Sequence, residues 1–386
     1  LVLPRTSGAK GWQRLTSQAM QFADVIGQEA LKQRLRESVQ SGRIPHAQLF
    51  LGKEGSGGLP LALAYAQFIA CENRSQLDSC GSCHNCSKYS KYIHPDLHFS
   101  FPFLSPAEEA REFLEVWRKA LHDNPYMGYQ EWLGYIQEGQ KQGNIPIKEC
   151  RAIIRNLSLK PFESDYKVLL MWFPEFLSNE GNVLLKIIEE PPYKTLFLLV
   201  AENSDRILPT ILSRTQMVRI PPIAADAIAG ALEQRLELET TQARQIAMLS
   251  DGSYLKAMHL SQASEHELMN PFREWFLLCF EGNKLKLLDW TQEYQGYGRE
   301  ELKAFFTYGL YVLRNCLVNT YTETGVRLGG AEKNFISKLS TRLNAQSIEA
   351  LYKLLNSSIY HIERNANSKV LLLDLSMQVH HQLRKK

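Results

Sequence analysis

A parallel α/β module followed by an all-helical C-terminal part is the fold this sequence predicts, and three observations carry the prediction. Two continuous apolar runs, Val168–Phe173 and Thr195–Ala201, are bounded by polar residues, as strands buried on both faces should be. From about Asp24 to Ile220, helix-spaced segments alternate with strand-like ones, the rhythm of a parallel sheet with crossover helices. After Pro221-Pro222 the strand signals stop, and helical spacing continues nearly to the end.

The elements follow in order along the chain. Residues 1–19 start at Leu1 and are rich in Ser, Thr, Gly and basic residues, with no apolar segment of the secretory type. They are expected to be a leader or a disordered stretch, with ordered sequence beginning at Met20. Ala30–Gln40 is a helix candidate, Ala47–Gly52 a short strand running into glycines, and Pro60–Ala70 a helix. The stretch 101–144 interrupts the rhythm. It holds a helix-spaced piece, Glu108–His122, and an aromatic cluster of Tyr126, Tyr129, Trp132 and Tyr135, and it reads as a helical insertion at one edge of the sheet. Ala225–Leu236, Thr240–Ser250 and Ser253–Ser261 form a small helical lid, with Gly252 placed to end the second helix. From Glu265 the chain is helical, with breaks at 282–283, 296–298 and 325–330. The last helix, 368–383, is expected to bury Leu371, Leu375 and Val379. The domain expectation is therefore an α/β domain over 20–221, a lid over 222–263 and a helical domain over 264–386.

Composition excludes several classes. Hydrophobic content of 44% and charged content of 22% are ordinary for a globular chain, and 386 residues are too many for one core. A net charge of +3 is too small for a dedicated nucleic-acid binder, so any DNA contact must be a local stripe. No apolar run is long enough to span a membrane. Seven cysteines in a long chain without an export signal point to metal binding in the cytoplasm, not to a disulfide framework.

Chemistry concentrates in a few places. Gly52-Lys-Glu-Gly-Ser-Gly-Gly-Leu follows a strand and precedes a helix, where a phosphate-binding P-loop sits. Gly52, Gly55, Gly57 and Gly58 supply the backbone scaffold. Gly58 and Leu59 stand where Lys should neutralise phosphate and Ser or Thr should hold Mg²⁺. Trp172 and Phe173 stand where a pair of metal-holding acids should end the following strand, leaving only Glu175 nearby. Productive ATP binding is therefore not expected. Cys71, Cys80, Cys83 and Cys86, spaced C-x8-C-x2-C-x2-C, can close a tetrahedral structural Zn²⁺ shell, with His84 and His94 as bystanders. Lys148, Arg151 and Arg155 line one face of a helix over 147–159 and are candidate phosphate contacts to DNA.

These motifs, together with Asp24-Val-Ile-Gly-Gln, Ile44-Pro-His-Ala-Gln-Leu-Phe, His94-Pro-Asp-Leu-His, Leu184-Leu-Lys-Ile-Ile-Glu-Glu-Pro-Pro and Ile207-Leu-Pro-Thr-Ile-Leu-Ser-Arg, resemble the bacterial clamp-loader subunits of DNA polymerase III. The likeness covers about residues 21–260 and is thin beyond them. It implies an AAA+ module carrying a zinc insert at 71–94, then a lid and a C-terminal collar. Active members keep an intact P-loop and acids; the losses here, with Leu255 after Gly252-Ser253-Tyr254 in place of a sensor Arg, look like the delta-prime branch. The resemblance implies that Arg214, in Ser213-Arg214-Thr215, acts in trans as an arginine finger, and that Asn203 occupies a polar sensor position. It also implies gamma/tau and delta subunits as partners, with the sliding clamp and primer-template DNA met through the complex. An active AAA+ clamp-loader ATPase and a stand-alone zinc-containing DNA-binding protein are the rival readings.

Overall fold

The computed structural model describes residues 20–104, 108–136, 143–177, 179–262, 265–294, 299–321, 330–364 and 366–384. The expected leader, and the helix breaks expected at 296–298 and 325–329, lie outside the described residues.

Five strands make one parallel sheet: β1 (Ala47–Leu51), β2 (Leu97–Ser100), β3 (Lys167–Trp172), β4 (Thr195–Ala201) and β5 (Gln216–Arg219). Their order is β2-β3-β4-β1-β5. Every residue of β3 and β4 is buried, as their unbroken apolar runs require. The edge strand β5 buries only Val218. In this order the chain leaves β1 and crosses over β4 and β3 to reach β2. The loop after β1 therefore lies beside the ends of β3 and β4, the position where open α/β sheets hold ligands.

Helix α1 (Glu29–Gln40) is amphipathic, whereas α2 (Gly58–Ala70) is buried from Leu59 to Ala70. That helix has no charged residue and therefore no face that prefers water. The short helix α3 (His84–Tyr89) follows within the cysteine region.

The insertion after β2 is closed at its neck by a bridge between Phe103 and Asn144. It contributes α4 (Leu114–Asp123) and α5 (Tyr129–Ile136). The helix expected from Glu108 begins with a 3-10 turn over Ala110–Phe113, where Glu109 and Glu112 cap each other's backbone. Trp117 ties the insertion to the sheet: it stacks on Phe101 at 4.3 Å and meets Trp132 at 5.0 Å and Trp172 at 5.1 Å. Helices α6 (Ile147–Leu157), α7 (Leu185–Glu189) and α8 (Pro209–Leu212) complete the layers. Next come α9 (Ala225–Leu236), α10 (Thr240–Leu249) and α11 (Tyr254–Gln262). Gly252, at φ +78°, makes the turn that a side chain would block, since a Cβ there would meet Pro222 at 2.3 Å.

The chain divides into two compact units between Met258 and His259. The second holds α12 (Glu265–Glu281), α13 (Lys284–Glu293), α14 (Arg299–Tyr321), α15 (Gly330–Ser340), α16 (Ala345–Glu363) and α17 (Ser368–Arg384). Its core gathers Phe272, Trp275, Trp290 and Phe305, and Trp275 Nε1 donates to Ser376 Oγ at 2.8 Å. The buried stripe of α17 is Leu372, Leu375, Ser376 and Val379, so it is Leu372 and not the expected Leu371 that enters the core. The hydrogen bond to Trp275 fixes that rotation, because it needs Ser376 facing inward.

Candidate functional site

The glycine loop between β1 and α2 keeps a phosphate-loop backbone. Gly52 N–H donates to Ala201 O at 3.1 Å, joining the loop to β4. Gly55 and Gly57 have φ of +73° and +93°, which only glycine adopts without strain. A Cβ on Gly52 would meet Ser56 Oγ at 2.6 Å, and one on Gly58 would meet Val200 at 3.2 Å. The motif's glycines are thus accounted for by packing and turn geometry alone. Lys53 is exposed and is among the residues that line the cleft.

The opposite wall is aromatic. Trp172 ends β3, and Phe173 follows with φ 56°, ψ 61°, a left-handed conformation that costs a bulky residue about 1–2 kcal/mol. Its ring packs on Trp172, Tyr129 and Phe176 at 4.4, 5.7 and 5.9 Å. Glu175 is buried, and its Oε1 accepts from the amides of Glu202 and Asn203 at 2.6 and 2.9 Å. Burial pushes this carboxyl up. Glu175 is therefore turned toward the backbone of the β4 exit, and Glu54 and Glu202 are the acids that line the cleft. Asn203 caps the following turn, accepting from Asp205 N at 2.9 Å.

Sequence reasoning missed the third wall. Asn124 ends α4, and its Oδ1 accepts from Tyr126 N at 2.8 Å, a turn that aims Tyr126 into the cleft. Pro125, Tyr126 and Met127 line it together with Gly52–Gly55, Trp172 and Phe173, and the cavity left is about 30 Å³. That holds one or two waters, whereas sites for drug-sized ligands run to about 300 Å³ or more. The only sequence signal was the aromatic density of the insertion, which says that rings will be buried but not where.

Arg214 lies just after α8, about one-third exposed. Its Nε donates to Glu189 Oε1 at 2.5 Å, and its Nη1 donates to Thr210 O at 2.8 Å and Ser213 Oγ at 3.1 Å. Glu189 comes from the Ile-Ile-Glu-Glu-Pro-Pro turn at the end of α7, a contact that spacing could not reveal.

The four cysteines come together. The Sγ atoms of Cys71, Cys80, Cys83 and Cys86 all lie within 4.8 Å of one another, with Cys80 and Cys86 at 4.0 Å. A tetrahedral metal with M–S near 2.3 Å needs S···S of about 3.8 Å, so the set fits a metal ion. Backbone N–H groups of Cys80, Cys83 and Cys86 donate to Cys71, Cys80 and Cys83 sulfurs at 3.2, 3.3 and 3.4 Å, bonds that favour the thiolate, while burial pushes the Cys71 and Cys86 thiols up. The N–H of Ser82 and its neighbours pull Cys80 down to about 6. His94 is not in the cluster. Its Nδ1 accepts from Asp96 N at 3.1 Å, which leaves Nε2 to donate to Asn85 Oδ1 at 3.0 Å.

On α6 the expected stripe is real as geometry: Lys148, Arg151 and Arg155 are all exposed. Arg155 pairs with Glu109 at 3.1 Å.

A profile of the family described as "DNA polymerase III, delta subunit" matches residues 27–224, just over half of the chain. The chain belongs to the DNA polymerase III delta subunit family. The matched span holds the five-stranded parallel sheet, the glycine loop and the four-cysteine cluster.

Relatives of this chain include DNA polymerase III subunit delta' of Bacillus subtilis, 27% identical over 60% of this chain and 58% of that one. DNA polymerase III subunit tau of Salmonella typhimurium is 27% identical over 62% of this chain and 32% of its own length. The chain thus spans about a third to three-fifths of these relatives. Among solved structures, a DNA polymerase III gamma subunit-related protein of Thermotoga maritima aligns over 92% of this chain and 99% of its own, at 15% identity and a TM-score of 0.34.

Proposed function

We propose that this clamp-loader family member is a delta-prime-type subunit that does not hydrolyse ATP and lends Arg214 to the nucleotide of a neighbouring gamma/tau subunit. The observation that supports it is the cleft. It lacks the lysine, the Mg²⁺-holding hydroxyl and both acids, and only about 30 Å³ of space remains. Phosphoryl transfer depends on positioning and charge neutralisation, and Gly58, Leu59, Trp172 and Phe173 stand where the motif's lysine, hydroxyl and acids would supply them. A guanidinium stays charged at any physiological pH and can supply positive charge to a phosphate it meets at an interface.

In this reading the C-terminal helices are the collar, and the subunit works in the cytoplasm with gamma/tau and delta subunits. The sliding clamp and primer-template DNA are met mainly within the assembly, and Lys148, Arg151 and Arg155 offer contacts to phosphate. The four-cysteine site holds a structural Zn²⁺, since a closed thiolate shell leaves no position for substrate.

The test is reconstitution with gamma/tau and delta subunits and measurement of clamp-stimulated ATP hydrolysis. Arg214→Ala should cut hydrolysis at the affected interface by about 10³-fold or more while leaving fold and metal content intact. An unchanged rate removes the finger from the account. Steady Mg²⁺-dependent turnover by the isolated chain removes the whole proposal.

A further inference from the structure

The cleft holds more than a loss of catalytic groups, because its space has an occupant. Tyr126 is 2% exposed and its hydroxyl accepts from Ile26 N at 2.8 Å, so it is bonded to the Asp24-Val-Ile-Gly-Gln segment. Its ring meets Tyr254 at 4.9 Å, edge to face, and Tyr254, 1% exposed, belongs to the lid. Tyr254 N donates to Gly55 O of the glycine loop at 2.9 Å. Arg235, on α9 of the lid, lies over the Tyr254 ring at 5.5 Å and donates to Asp24 O at 2.7 Å. Ser253 and Leu255 close on Gly55 from the lid side, where a Cβ would meet them at 2.2 and 2.9 Å. The entry segment, glycine loop, insertion and lid therefore meet around one buried ring.

The approach is specified locally as well. Asn124 holds the turn before Tyr126, and Glu131 Oε2 closes the turn after it by accepting from Gly128 N at 3.0 Å. Gly128 lies so close to the glycine loop that a Cβ there would strike the Glu54 carboxylate.

We propose that the 124–128 segment is a built-in occupant of the cleft, a tyrosine clasp that joins lid to α/β layer and holds them in one arrangement with no nucleotide bound. It rests on the reading that this cleft does not turn over ATP, and it adds a physical consequence. Where a bound nucleotide would bridge glycine loop and lid, a side chain of the same polypeptide does so permanently. The lid arrangement is then independent of ATP, and the insertion has a task.

The experiment uses the isolated full chain loaded with Zn²⁺, so it needs no partner subunit and stands apart from any result with Arg214. Amide hydrogen exchange is followed in the lid, 225–249, and in β3 and β4, for the wild type, Tyr126→Phe and Tyr126→Ala. The same chains are titrated with mant-ATP and Mg²⁺. In Tyr126→Ala, lid exchange should rise by about tenfold or more while the strands keep their protection, as expected when one buried aromatic contact leaves a local opening equilibrium. Tyr126→Phe, which keeps the ring and loses only the acceptor for Ile26, should fall between the two, and it carries the test if the alanine variant does not fold. Wild-type lid exchange should be the same with and without Mg-ATP. Lid exchange unchanged in Tyr126→Phe and Tyr126→Ala, or saturable mant-ATP binding to the wild-type cleft, overturns the clasp. The first result leaves the delta-prime reading standing.

Discussion

Two residues show how single side chains carry conditions on this fold. Arg214 and Glu189 pair while both remain partly exposed, at 30% and 47%. Pairs of that kind contribute about 0–1 kcal/mol, so Glu189→Ala should change the free energy of urea unfolding by less than about 1 kcal/mol. A loss well above that would make the pair a structural one and weaken the case for a guanidinium kept available to a partner. His98 on β2 behaves differently. Its Nε2 is buried with no hydrogen-bond partner among the described residues, and burial, with Lys167 adding repulsion, lowers it to about 4. The unfolded chain then takes up a proton near pH 6.5 that the folded chain refuses, so this stability is present above pH 6.5 and is lost as pH falls toward 4. Glu149, raised to about 6 by burial, has the opposite sign: its contribution is full below about pH 4.5 and is lost as pH rises through 6. The two partly offset each other, which makes a difference measurement necessary. Unfolding free energy of the wild type against His98→Leu should diverge with a slope confined to pH 4–6.5, by on the order of 3 kcal/mol in all. Parallel pH profiles would refute it.

At the scale of elements, the cysteine module does more than gather four sulfurs. Asp78 accepts from the amides of Phe22 and Ala23 at 3.0 and 2.9 Å, and Gln21 reaches Ser79. Gln67 of α2 donates to Ser79 Oγ at 2.9 Å, and Asn85 of α3 donates to Ala70 O at 2.8 Å. The module therefore ties the entry segment to the buried helix behind the glycine loop. Since metal binding free energy is folding free energy for such loops, chelation should lower the thermal midpoint and raise exchange at the Phe22 and Ala23 amides first. Cys80→Ser should do the same without chelator. Exchange that rises uniformly over the sheet would instead mean that the module supports the whole fold evenly. The insertion is a second element with reach. Pinned at Phe103 and Asn144 and anchored by Trp117, it brings the 124–128 turn to the cleft.

The whole molecule divides at Met258, and each unit has its own aromatic and aliphatic core. Phe22, Phe50, Phe68 and Trp117 serve one, and Phe272, Trp275 and Phe305 serve the other. A unit with its own core can fold alone. A chain limited to residues 20–258 should therefore unfold cooperatively and bind one equivalent of Zn²⁺, read by urea denaturation and metal analysis. A molten, metal-free product would show that the C-terminal unit is required for the first to fold. Among the described residues no helix is long and apolar enough to cross a membrane.

The sequence by itself determined the features that depend on local spacing. Uninterrupted apolar runs became β3 and β4, four closely spaced cysteines became one sulfur cluster, and Gly58, Leu59, Trp172 and Phe173 declared what the cleft lacks. Periodicity records which residues need burial, and chemical type records which groups are missing. Neither records the partner. Tyr126 finds Ile26 and Tyr254 across long stretches of chain, Glu189 finds Arg214 between two turns, and Ser376 sets the rotation of α17 by bonding Trp275. Those choices were left to tertiary structure, because a buried ring or a charged pair takes its place from the shape of everything packed around it.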